Sequence, residues 1–210
     1  MARPLLITDC DEVLLHLVAP FRDWLAEIHG IDFRFVGNDF SKSLHYIGTE
    51  ELVEPKEIWR LLDLFFVGEM HRQYPIAGAF DAIRTISRNA DVVVLTNLGD
   101  HHNDARRQQL ANLGLNLKVY TNMGPKGPAL QRILAEYQPS RAVFIDDIAQ
   151  HHASAAELTP ELHRLHLCGE PRLAPLINCA HQAGHAHARI DLWDKALPWL
   201  QERLYGEGHD

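Results

Sequence analysis

Short apolar runs alternate with longer amphipathic stretches through most of this chain. "PLLIT" (4–8), "DVVVLT" (91–96), "LKVYT" (117–121), "RAVFID" (141–146) and "HRLHLC" (163–168) are brief, bounded and mostly β-branched, which predicts strands. They are continuously apolar rather than alternating, as strands covered on both faces are. Helix-like stretches lie between them. "NDARRQQLANLG" ends on Gly114 as a helix C-terminus does, and "GPALQRILAEYQ" stops before Pro139. The tail "ARIDLWDKALPWLQERLYGEGHD" predicts a last short edge strand, a helix with Pro198 near its start, and a frayed end. The pattern predicts an α/β class built on a Rossmann-like, mostly parallel sheet.

Residues 15–75 break this rhythm. They hold no convincing buried strand but carry aromatic, helix-compatible segments, "PFRDWLAEIHG" and "PKEIWRLLDLFFVGEMHRQY". The predicted organisation is a core domain formed by residues 1–14 and 76–210, with a small helical cap inserted at 15–75. The chain returns to the core at "YPIAGAFDAIRTI", where Pro75 and Gly78 end one pattern before a new amphipathic helix. The cap aromatics Trp24, Phe33, Phe35, Trp59, Phe65 and Phe66 are expected to form its core rather than a stacking platform.

Composition narrows the partners. At 210 residues, 46% hydrophobic and 23% charged, the chain is long enough for one full core and a small accessory unit. No apolar stretch has the roughly 18 residues of a membrane helix, and "MARPLLITDC" lacks the form of a signal peptide, so a cytoplasmic protein with no membrane partner is expected. Cys10, Cys168 and Cys179 make neither a disulfide framework nor a zinc knuckle and are expected as reduced thiols. The formal charge of −8, with no Lys or Arg block, argues against nucleic acid. It also requires a local cation wherever an anionic substrate binds. Nothing in the sequence sets the oligomeric state.

In open parallel sheets ligands collect at the carboxyl ends of strands. Four such ends carry polar chemistry: Asp9-Cys10-Asp11-Glu12 after the first run, Thr96-Asn97 after the second, Lys126 in "MGPKGPAL" shortly after the third, and Asp146-Asp147 after the fourth. In this order, "LLITDCDEV", "VVVLTN", Lys126 and "AVFIDDIAQH" resemble the haloacid dehalogenase-like (HAD) superfamily, in its phosphatase branch with a helical cap of the first type. The resemblance spans residues 5 to about 152.

It implies a Mg²⁺-dependent phosphomonoester hydrolase acting on a small phosphorylated metabolite. Asp9 would be the nucleophile, forming an aspartyl-phosphate. Asp11, two residues on and returned to the same side of the strand end, would serve as general acid and base. Asp9, Asp146 and Asp147, with the backbone carbonyl of Asp11, would hold Mg²⁺, an oxygen-loving ion. Lys126 would neutralise phosphate oxygens, and the Thr96 hydroxyl and Asn97 amide would bind the others. Asp11 argues against a dehalogenase, since halide departure needs no proton. A phosphosugar mutase sharing these parts, and a catalytically silent phosphate- or partner-binding protein on the same fold, are the competing expectations. Lys118 is the weaker substitute for Lys126.

Two departures and two histidine pairs stand out. Glu12 occupies a position where many relatives carry Gly, next to the cap hinge, and His151, four residues after Asp147, is placed to orient an acid or a water. Among fourteen histidines, His101 and His102 lie close enough to Thr96 to touch substrate or cap. His181 and His185, four apart, are expected on one face of a surface helix rather than on a metal.

Overall fold

A computed structural model describes residues 2–34 and 42–206. Phe35, one of the expected cap aromatics, lies outside them. The main sheet holds six strands: β1 (Leu5–Thr8), β4 (Asp91–Thr96), β5 (Lys118–Thr121), β6 (Ala142–Asp146), β7 (His163–His166) and β8 (Ala188–Arg189). Their spatial order is β5-β4-β1-β6-β7-β8 and every neighbouring pair is parallel. The α/β class with a parallel sheet is therefore as the apolar runs predict.

The continuous apolar character of the strands follows from their position. Alternate residues serve opposite faces of a strand. Leu6, Val94, Val143 and Ile145 pack on one side with α3 (Ala79–Ser87) and α7 (Trp193–Tyr205). Leu5, Ile7, Val93, Leu95 and Phe144 pack on the other with α5 (Gly127–Tyr137) and Ala155 of α6 (Ala149–Leu158). Both faces are covered, so neither set is polar. Helix α4 (Asn103–Asn112) adds Leu110 to the first face.

The register decides what the strand ends share. Thr8 pairs with Val94 on one side and with Ile145 on the other, so Asp9 and Asp146 are the next residues on adjacent strands. Asp9 donates its amide to the Ile145 carbonyl at 2.9 Å.

Between β1 and α3 the chain forms α1 (Val18–Trp24), β2 (Ile31–Phe33), β3 (Leu44–Tyr46) and α2 (Pro55–Leu64). Single π-helical turns extend α1 over Leu25–His29 and α2 over Phe65–Glu69. Here the sequence expectation needs correction: β2 and β3 pair antiparallel, so this insertion is not purely helical. A three-residue strand is too short to show an apolar period. Phe21, Trp24, Phe33, Phe65 and Phe66 build a separate apolar cluster, which also takes in Leu98, Cys168 and Leu173 from loops of the sheet domain. Trp59 stays out of it, at 63% exposure.

The tail differs in two further ways. Residues 180–187 form turns and bends, so His181 and His185 share no helix face; the His181 Nδ1 lies 3.0 Å from the Ala186 carbonyl instead. Pro198 lies inside α7 rather than near its start. All three cysteines are free. Among the described residues no helix is long and apolar enough to cross a membrane.

Candidate active site

Asp9 lies just beyond β1 and is buried, with its Oδ1 fixed twice: the Cys10 amide donates to it at 2.7 Å and Lys126 Nζ approaches to 2.9 Å. Oδ2 accepts no hydrogen bond from the described residues, and the residue lines a cavity of about 680 Å³. Lys126 is fully buried at the start of α5 and reaches Asp146 Oδ2 at 2.6 Å as well as Asp9. The ammonium thus bridges the ends of β1 and β6. Lys118, the alternative, is exposed and pairs with Glu136 at 2.6 Å.

Lys126 reaches inward because α5 begins almost against α6. A Cβ at Gly127 would fall 2.5 Å from both the carbonyl oxygen and the hydroxyl of Ser154, and that hydroxyl accepts the Gly127 amide at 3.1 Å. Only a residue without a side chain fits there.

Asp146 is fully buried; besides Lys126 it accepts the Ile148 amide on Oδ1 at 2.8 Å. Burial pushes its carboxyl up, but Lys126, His151 and His152 outweigh that and hold it below the ordinary carboxylate range. Asp147 borders the cavity. Burial, then the charges of Asp146, Asp9 and Glu12, raise it well above that range. For Asp9, burial opposed by Lys126 gives a value of about 7, with Asp146 and Asp11 adding to the rise.

One oxygen from each of Asp9, Asp146 and Asp147 lies within a single 4.8 Å group. Lys126 pairs with two of these three carboxylates, Asp9 and Asp146, and the upward shifts of Asp9 and Asp147 come first from burial, with the neighbouring acids adding to them. An all-oxygen, net-negative cluster of this kind fits a hard divalent cation such as Mg²⁺.

Thr96 ends β4, is buried, and lines the cavity beside Asn97. The Asn97 side chain ties its own loop to the loop after β5 and to the start of α6. It donates to the Gly124 carbonyl at 2.9 Å, accepts from Asn122 at 2.9 Å, and lies 3.3 Å from His151 Nε2. His151 therefore contacts Asn97, with its Nδ1 unpartnered.

Asp11 also borders the cavity, but its carboxylate points into a fork. Arg106 Nη2 lies 2.9 Å from both oxygens, and Gln73 Nε2 donates to Oδ1 at 2.7 Å. Arg106 Nη1 donates further to Gln73, Gln109 and the Cys10 sulfur, and its guanidinium stands 5.5 Å from the Phe66 ring centre. Neither Arg106 nor Gln73 is apparent from motifs. The one available signal is helical phase: Arg106 is four residues before Leu110, on the buried face of α4.

Glu12 has a left-handed backbone, φ 57°, a conformation that favours Gly. Its Oε1 accepts the amides of Leu17 and Val18 at 2.9 and 2.6 Å, closing the start of α1. Burial raises its carboxyl to about 7 despite those two amides. At the other side of the insertion, His102 Nε2 lies 2.9 Å and His101 Nε2 3.3 Å from Asp63 Oδ1 on α2. The two histidines thus touch the inserted segment.

No protein-family model matches the sequence, and no curated protein matches it. Solved structures do match over nearly its whole length. A HAD family hydrolase from Deinococcus radiodurans R1, with bound phosphate and sodium, is similar at a TM-score of 0.66 and 18% identity, covering 95% of each chain. A haloacid dehalogenase-like hydrolase from Streptococcus pneumoniae gives 0.64 and 11% identity, over 95% of this chain and 99% of its own. YfnB of Bacillus subtilis, bound to magnesium, gives 0.62 and 16% identity, over 95% and 99%. At these identities the likeness is one of fold, and the fold is the haloacid dehalogenase-like one.

Proposed function

We propose that the protein is a Mg²⁺-dependent phosphomonoester hydrolase of the HAD superfamily, with residues 15–75 as its cap. The observation that carries this reading is Lys126 joined to both Asp9 and Asp146, with Asp147 completing the acidic cluster at the floor of the cavity.

Asp9 Oδ2 is the free oxygen and faces no competing donor, so it is the attacking atom. As the Oδ2–P bond forms, the ester P–O bond breaks and the leaving alkoxide takes a proton from Asp11. Water then attacks phosphorus, gives its proton to Asp11, and releases phosphate as the Asp9 carboxylate is restored. Thr96 and Asn97 orient the phosphoryl oxygens, and Lys126 balances their charge. Mg²⁺, held by Asp9, Asp146 and Asp147, supplies further charge neutralisation.

To donate a proton, Asp11 must leave the Arg106 fork. Gln73, which holds it there, sits at the end of the insertion, so the availability of the acid is linked to where the insertion lies.

A phosphosugar mutase needs a second anion-binding group in the cavity, and no Lys or Arg is among its described lining residues. The purified protein is expected to release phosphate from a generic aryl phosphate with Mg²⁺ and to stop on chelation. Metal-independent turnover overturns the reading, as does full activity in Asp9→Asn. Protection by phosphate against thermal unfolding with no ester turned over would instead favour a silent binding protein.

A further inference from the structure

Resting on that hydrolase reading, the cavity walls say what kind of alcohol carries the phosphate. Three features bear on it.

The first is charge. The charged lining residues are acids, Asp9, Asp11, Glu12 and Asp147, with no Lys or Arg among the described ones. The segment 35–41, which lies outside the described residues, carries no Lys or Arg either. A second phosphate or a carboxylate on the substrate would meet no counter-ion, in a protein whose overall charge already repels it.

The second is polarity. The neutral polar groups Thr96 and Asn97 sit at the end of β4, and Gln150 and His151 on the first turn of α6 after β6, at the phosphoryl end. The remaining wall includes Val18, Ile58, Phe66 and Leu173. A sugar's hydroxyls would lose water there without finding partners.

The third is the unfilled apolar surface. Trp59 on α2 is 63% exposed, and Met123 and Ile148, on loops after β5 and β6, are 77% and 39% exposed; all three border this one cavity. Of the two aromatic side chains that line the cavity among the described residues, Phe66 is buried in the cap's own core and Trp59 is not, so Trp59 is the ring with free surface for a ligand. The volume of about 680 Å³ is ample for an aromatic leaving group.

We propose that the substrates are phosphate monoesters of uncharged, apolar and preferably aromatic alcohols, with the ring seated against Trp59.

The test uses esters with leaving groups of similar basicity, so that chemical reactivity does not imitate recognition. With Mg²⁺, kcat/KM for 2-phenylethyl phosphate is expected to exceed that for glycerol 1-phosphate or glucose 6-phosphate by about tenfold or more, the worth of burying one ring. Trp59→Ala should collapse this ratio and Trp59→Phe should keep it. Trp59 is mostly exposed, so both variants should fold. An equal or greater kcat/KM for the glycerol or glucose ester overturns the proposal and leaves the hydrolase reading standing.

Binding separates the two claims. 2-Phenylethylphosphonate has a P–C bond that hydrolysis does not cleave, and by calorimetry it should bind about tenfold more tightly than 2-hydroxyethylphosphonate, a margin lost in Trp59→Ala. That preference without turnover of any ester supports the apolar pocket and sinks the hydrolase reading. No preference, or no binding of either phosphonate, sinks the pocket.

Discussion

Arg106 Nη2 lies 2.9 Å from both carboxylate oxygens of Asp11, across 95 residues of sequence, and none of the arginine side chain reaches solvent. A cation this deep is stable only because it is paired and hydrogen-bonded. Arg106→Met keeps the length that packs against Phe66 but strands Asp11 and the acceptors on Gln73 and Gln109. It should cost about 3 kcal/mol, the low end for breaking a buried pair because an edge of Asp11 faces the cavity. Urea unfolding measures this; a loss under about 1 kcal/mol would show that the pair adds little.

Asp11→Asn bears on the same pair from the other side. It should slow turnover by about 10²–10⁴, the usual contribution of a general acid and base. It should also destabilise, because an amide cannot neutralise Arg106. An unchanged rate in a measurably destabilised variant would assign Asp11 a structural role alone.

The acidic cluster makes a prediction independent of activity. Asp9, Asp146 and Asp147 cluster where one ammonium pairs with only the first two, so adding Mg²⁺ should raise the thermal midpoint and chelator should lower it. At about one hundred times its Kd a ligand of the folded state adds about 2.7 kcal/mol. Asp147→Asn should blunt the response. A midpoint indifferent to Mg²⁺ in the wild type would rule out a divalent site here.

Gly127→Ala tests whether the approach of α5 to α6 aims Lys126. The new methyl has Ser154 backbone 2.5 Å away, a contact that cannot be relieved by rotating a side chain. Forcing the helices apart should cost about 1–3 kcal/mol and lower kcat/KM by drawing Lys126 off Asp9. A variant with wild-type melting and kinetics would show that the helix start has slack.

The strand ends were legible because their signals are local. A run of apolar residues reports burial on both faces, and the polar residues just after it sit where a parallel sheet exposes its edge, so Asp9, Asp11, Thr96, Lys126, Asp146 and Asp147 could be named from the sequence. Gln73 and Arg106 left no such mark. Arg106 and Arg107 are adjacent and chemically identical, yet one is buried and the other exposed; beyond the helical phase that aligns Arg106 with Leu110, it is the packing of α4 against the β1 loop that tells them apart. The β2–β3 pairing and the exposure of Trp59 were hidden for a related reason, since three-residue strands show no period and an aromatic is read as core by default.

What this sequence determines alone is the order of strands and helices and the chemistry placed at each strand end, both set by residues a few positions apart. The tertiary structure decides which ends meet: β1 lies between β4 and β6, so Lys126 joins Asp9 to Asp146. It also decides that Asp11 rests on Arg106 and that Trp59 faces the cavity. Those outcomes depend on contacts between distant segments, whose geometry exists only once the chain has closed on itself.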